Sequence, residues 1–125
     1  MKAGGQNGSL EKAFAIAAGH YQQGRLKEAE GALLEIQNQQ ADIPDVLHLL
    51  ALIALKTDRA GEAVDYLEKA IAKGPPSADL FILLGSALKN AGRMADAVPV
   101  YKKAISLAPD MAETHYNLAN TLKDL

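Results

Sequence analysis

Residues 80–110 read LFILLGSALKNAGRMADAVPVYKKAISLAPD, and this stretch decides the fold. Its first half places Leu80, Leu84 and Leu88 at helical spacing and stops at Gly92. Its second half starts a new apolar stripe, Ala97, Val100, Tyr101, Ala104 and Ile105, and stops at Pro109. That pattern predicts two helices of about 14 residues joined by a glycine turn. Glycine accepts the left-handed backbone that closes a helix, and proline cannot continue one. Nowhere does the chain alternate with period two for long enough to form a strand, so the fold class is all-α.

The same unit recurs outward from this stretch. Ala29, Ala63 and Ala97 are evenly spaced (63 − 29 = 34 and 97 − 63 = 34). Arg25, Arg59 and Arg93 keep the step, as do Glu28, Glu62 and Asp96. Ile16, Leu50, Leu84 and Leu118 keep it too, each followed by a small residue: Ala17, Ala51, Gly85 and Ala119. A fixed period of this size signals stacked two-helix units rather than one irregular globule. The units fall at 10–43, 44–77 and 78–111, with a half unit at 112–125 and a polar leader, expected to be disordered, at 1–8. Gly24, Asp58 and Gly92 end the first helices, and Gly74-Pro75-Pro76 ends the second helix of unit two. Ser77 and Asp110 are expected N-caps, Asp110 with Glu113 at capping-box spacing. Small residues allow paired helices to approach: Ala17 with Ala29, Ala51 with Ala63, Gly85 with Ala97. Leu33, Leu67 and Tyr101 then fill the space toward the next unit.

At these residues the chain resembles the tetratricopeptide repeat family. Leu84-Gly85, Gly92, Ala97, Tyr101, Ala104 and Pro109 stand where that family has its consensus, and the resemblance runs from residue 10 to 125. The first copy departs most, with His20 in place of tyrosine and Ala41 in place of proline. The resemblance implies a right-handed α-solenoid of about three and a half repeats, seven helices, whose first helices line a concave groove. It further implies that the groove is formed by Glu11, Phe14, Ala15, Ala18, Tyr21 and Gln22 in unit one, and by Asp45, His48, Leu49, Leu52, Leu55 and Lys56 in unit two. Unit three would add Asp79, Ile82, Leu83, Ser86, Lys89 and Asn90, and the half unit Glu113, Tyr116, Asn117, Asn120 and Lys123.

Two features of that lining bear on binding. An acidic residue opens every first helix: Glu11, Asp45, Asp79 and Glu113. It reads either as a favourable helix N-terminal charge or as a rim that steers a basic partner. The apolar residues Phe14, Leu49, Leu52, Leu55, Ile82 and Leu83 read either as a groove floor for an amphipathic helix or peptide, or as ordinary core between repeats. The segment AETHYNLANTLKDL (112–125) resembles repeats of O-linked N-acetylglucosamine transferases and related bacterial proteins, whose asparagines hold extended peptides. Asn117 has no counterpart at Ala15, Leu49 and Leu83, so no asparagine ladder is continuous here. The carboxylate clamp of chaperone-binding members is also absent, because Phe14, Ala18, Leu49, Asp79 and Leu83 occupy its positions.

Composition narrows the function classes. The chain has 125 residues, a formal net charge of −2 and no cysteine. It therefore offers no field for a phosphate backbone and no thiolate metal site. His20, His48 and His115 fall in different repeats without a second ligand at metal spacing. Gly4, Gly5 and Gly8 do not follow a strand, and no serine sits in a nucleophile elbow. The expectation is a cytoplasmic protein-interaction module, without catalytic residues, cofactor or metal, that binds another protein or peptide and neither nucleic acid nor membrane. The alternatives are a substrate-docking segment of a larger enzyme such as a bacterial glycosyltransferase, or a self-associating scaffold. Leu118, Ala119 and Leu122 lack a partner helix in the sequence. That pattern reads either as a chain cut inside a repeat or as a terminal cap with a half-polar outer face, and in both cases the open face predicts homo-oligomer formation through helix 112–125.

Overall fold

A computed structural model of the chain describes residues 2–125, with side chains from Gly8 on. Seven helices follow one another: α1 Lys2–Gln22, α2 Leu26–Gln39, α3 Pro44–Lys56, α4 Ala60–Lys73, α5 Ala78–Asn90, α6 Met94–Leu107 and α7 Ala112–Asp124. No strand occurs among the described residues. Of the leader expected at 1–8, Met1 lies outside the described residues, and side chains are described only from Gly8. The backbone from Lys2 on forms the first turns of α1. Each helix packs on the next in sequence, and α1 also touches α3. That is the contact pattern of a solenoid, in which each unit meets only its neighbours.

The turn inside each unit is the same closure built three times. Gly24 (φ 78°), Asp58 (φ 63°) and Gly92 (φ 80°) take the left-handed conformation. The next N–H then reaches back to the last turn of the first helix: Arg25 to the His20 carbonyl at 2.8 Å, Arg59 to Ala54 at 2.8 Å, Arg93 to Leu88 at 2.7 Å. This satisfies carbonyls that the helix end would otherwise leave open. The carbonyls of those arginines in turn accept the N–H of Ala29, Ala63 and Ala97. In units two and three the guanidinium holds the acid three residues on, Arg59 to Glu62 at 3.3 Å and Arg93 to Asp96 at 2.9 Å. Arg59 also crosses to Glu30 of the preceding unit at 2.7 Å. The recurrence of Arg, acid and Ala thus describes one turn that launches each second helix.

The turns between units are less regular. Ser77 caps α5, its Oγ accepting the Leu80 N–H at 3.4 Å. Asp110 does not cap α7: Met111 holds the cap position and no side chain caps it. Asp110 stands one residue too early, so the expected capping box does not form; His115 Nε2 meets the Pro109 carbonyl at 2.8 Å. Between α2 and α3, where Ala41 replaces a proline, Gln37 clasps Asp42 instead. Its Nε2 donates to Asp42 Oδ1 at 2.8 Å and its Oε1 accepts the Asp42 N–H at 3.1 Å. The clasp holds Asp42 at φ 61°, a conformation that aspartate tolerates better than most residues.

Ala17, Ala29, Ala51, Ala63 and Ala97 are all fully buried at the contacts between paired helices. The position that follows the recurring leucine trades size with the position sixteen residues later. Ala17 goes with Leu33 and Ala51 with Leu67, whereas Gly85 goes with Tyr101. The reason is geometric. A Cβ on Gly85 would lie 2.5 Å from Tyr101 Cε1 and 2.7 Å from Cζ. The ring cannot yield, because Tyr101 is buried within the core that α3, α4, α5 and α6 share. Its hydroxyl meets Ser86 Oγ at 3.3 Å. Burial pushes the Tyr101 phenol above its ordinary value. The Glu113 carboxylate adds to the rise, and the Ser86 hydrogen bond opposes it.

This contact makes two outcomes measurable. Gly85→Ala and Tyr101→Leu are each expected to destabilise by roughly 1–3 kcal/mol, by overpacking and by cavity formation. The double variant recreates the pairing of units one and two, so denaturant titration is expected to show a cost at least about 1 kcal/mol below the sum. The phenol's folded pKa lies above its unfolded value, so its contribution to stability is complete below the unfolded value and is lost as pH rises through the folded one. Thermal melts across alkaline pH are therefore expected to fall more steeply for the parent than for Tyr101→Phe. Equal slopes would contradict the burial of the hydroxyl.

Candidate functional site

The first helices α1, α3, α5 and α7 occur once per unit and repeat one face. Where α1 meets α3, that face opens into a depression of about 390 Å3 lined by Phe14, Ala18, Tyr21, Gln22, Asp45, His48, Leu49 and Leu52. These are groove positions of units one and two as read from the sequence. The floor is apolar because Phe14 and Leu52 are only half-buried against the core that α1, α2 and α3 share. At its far end Lys56 Nζ lies 5.7 Å from the centre of the Tyr21 ring, a cation over a π face.

A second depression of about 280 Å3 continues the first beyond Phe14 and Asp45. It is lined by Leu10, Glu11, Phe14, Ile36, Ile43, Asp45 and Val46. Leu10, Ile36, Ile43 and Val46 are absent from the lining that the sequence suggests, because this hollow is assembled from α1, α2, the connecting turn and α3. A third, of about 230 Å3, opens between α3 and the start of α5 and includes Asp45, His48, Pro75 and Asp79. Asp45 lines all three.

The remaining candidates distribute differently. Leu49 and Ile82, at 9% and 7% exposure, are core residues, and only the edge of Leu49 reaches the trough. Leu83 is half-buried and packs on the core between units two and three. Ser86 is engaged by the Tyr101 hydroxyl. Lys89, Asn117 and Asn120 lie on α5 and α7, away from α1, and Tyr116 is 68% exposed. None of these residues of units three and four lines any of the three hollows just described. The choice between floor and core thus divides the apolar set. Phe14 and Leu52 line the trough, while Leu49 and Ile82 belong mainly to the interior.

The acidic positions also divide. Asp45, Asp79 and Glu113 sit in the first turns of α3, α5 and α7, where the helix dipole favours them. Glu11 lies well inside α1, whose first turn holds no acid, so no helix end accounts for it. Among the described residues no group of three or more His, Cys, Asp or Glu side chains could hold a metal ion. No helix there is long and apolar enough to cross a membrane. His20 Nδ1 and Thr114 Oγ1 are buried without a hydrogen-bond partner.

A tetratricopeptide repeat family model matches residues 14–78, 48–112 and 82–122. No curated protein matches the chain. Among solved structures, MamA MSR-1 is 23% identical with a TM-score of 0.84, over 92% of this chain and 66% of that one. A mutant O-GlcNAc transferase of Thermobaculum terrenum is 24% identical with a TM-score of 0.81, over 93% of this chain and 22% of that one. The first TPR of Spaghetti (RPAP3), bound to the HSP90 peptide SRMEEVD, is 15% identical with a TM-score of 0.85, over 92% of this chain and 91% of that one. The chain spans just under two thirds of the MamA structure and about a fifth of the transferase. At these identities the likeness is one of fold, and it is the fold that the helix order and the repeated turns describe. With three overlapping matches running from Phe14 to Leu122, the chain belongs to the tetratricopeptide repeat family.

Proposed function

We propose that this chain is a protein-interaction module whose concave face holds a peptide or an amphipathic helix of another protein. The observation that carries the reading is the joined pair of apolar-floored hollows between α1 and α3, which share Phe14 and Asp45. Half-buried apolar side chains at the base of a concave surface gain by burying against a partner's side chains, at about 25 cal/mol per Å2. The RPAP3 repeats, with a peptide bound, support the same use of the fold here. The hollows offer an apolar floor and charge at the rim, which suit recognition, so the reading assigns binding rather than catalysis to this chain. Cytoplasmic location, and the absence of nucleic-acid and membrane partners, are part of the proposal.

A second reading rests on the transferase likeness: the same trough would dock the substrate of a larger enzyme. It changes the fate of the bound segment but not the place where it binds. Self-association, a third reading, is favoured by apolar side chains left exposed on α1 and on and just after α7. Ile16 is 61% exposed, although its equivalents Leu50 and Leu84 are buried, and on and just after α7 Leu122 and Leu125 are 51% and 64% exposed.

Peptides selected from a displayed library on the parent chain test the trough directly. Leu52→Gln and Ala18→Gln, which remove floor and fill space without adding charge, are expected to weaken the selected peptides about tenfold while keeping the parent melting temperature within a few degrees. Unchanged binding by both folded variants would take the trough out of the account.

A further inference from the structure

Resting on the reading of the trough as a peptide site, the charge around it narrows the partner. Glu11 lines one hollow, Asp79 another, and Asp45 all three. The ion pairs among the described residues are Arg59 with Glu30, Arg59 with Glu62, and Arg93 with Asp96. All of these groups belong to the second helices or the turns that launch them, so among the described residues no cation pairs with Glu11 or Asp45 of the trough, or with Asp79 of the hollow that adjoins it at Asp45. A positive group, Lys56, stands at the opposite end over Tyr21. The trough is therefore apolar along its base, negative at one end and positive at the other. Its length along α1, from Leu10 to Gln22, is roughly 18 Å, the rise of about three helical turns.

We infer that the trough takes an amphipathic helix of about three turns whose apolar stripe covers Phe14 and Leu52 and whose lysine or arginine residues lie against Glu11, Asp45 and Asp79. Each exposed pair contributes little alone. Three around one apolar anchor choose between partners of opposite charge, since like charges there would repel. An acidic peptide such as the one RPAP3 holds is disfavoured at this end of the trough.

The test uses two synthetic peptides of about fourteen residues with the same leucine stripe at helical spacing, one carrying lysines at one end and the other glutamates there. Fluorescence anisotropy on the full chain at low ionic strength is expected to show the lysine peptide bound about tenfold more tightly, with the difference shrinking as salt is added. Glu11→Lys with Asp45→Lys, both at exposed positions, is expected to reverse the preference. Asp65→Lys with Glu68→Lys, the same charge change on exposed positions of α4, is expected to leave it in place. Equal binding of the two peptides, or an equal shift from the α4 pair, overturns the charge selection. If Leu52→Gln still weakens both peptides in that case, the trough reading stands without it. Binding that Leu52→Gln does not touch contradicts the trough reading itself, and failure of the lysine peptide to bind at up to about 1 mM overturns the inferred partner.

Discussion

The close approach of the two helices in each unit is the constraint on which the rest depends. It requires a small residue on the first helix and an alanine on the second, with a larger side chain closing the space one turn further along. Units one and two meet this with Ala17 and Leu33, Ala51 and Leu67, all buried. Unit three meets it with Gly85 and Tyr101, where even a methyl group would strike the ring. Core packing is dense enough that a change of one methylene is felt, so the two positions must change size together. The repeat is thus kept along the chain as a volume more than as a set of residue types.

That contact also determines what the module can do. Fixing the pairing within each unit fixes how the next first helix lies on the one before, and so brings α1 beside α3 with Phe14 and Leu52 left half-covered. On the reading proposed above, these half-covered apolar side chains are what a partner would bury. On the same reading, specificity would fall to the few charged groups around those side chains. Here these are carboxylates at one end and the Lys56 ammonium over Tyr21 at the other. In that proposal the scaffold contributes shape, and charge at its rim contributes choice.

Much of the fold was legible in the sequence because its determinants are local and repeated. The left-handed closures at Gly24, Asp58 and Gly92, the alanines at the helix contacts and the Ser77 cap each need only a few neighbouring residues. The site was legible in part. Periodicity places a residue on a face of its helix, but neighbouring faces of α3 point to the trough and to the interior. It could not separate Leu52, which lines the trough, from Leu49 and Ile82, which are mainly buried. Leu10, Ile36 and Ile43 carried no signal, because their hollow exists only once three elements meet. Asp110 failed as a cap for a local reason: α7 starts one residue later than the spacing suggests.

The most direct test of the account is a map of backbone amide chemical shifts as a bound peptide is titrated in. The account predicts that the largest changes fall on α1 and α3, around Phe14, Ala18, Asp45 and Leu52, with little on the outward faces of α2, α4 and α6. Changes concentrated on those outward faces, or at Leu122 and Leu125 at the end of the chain, would contradict it.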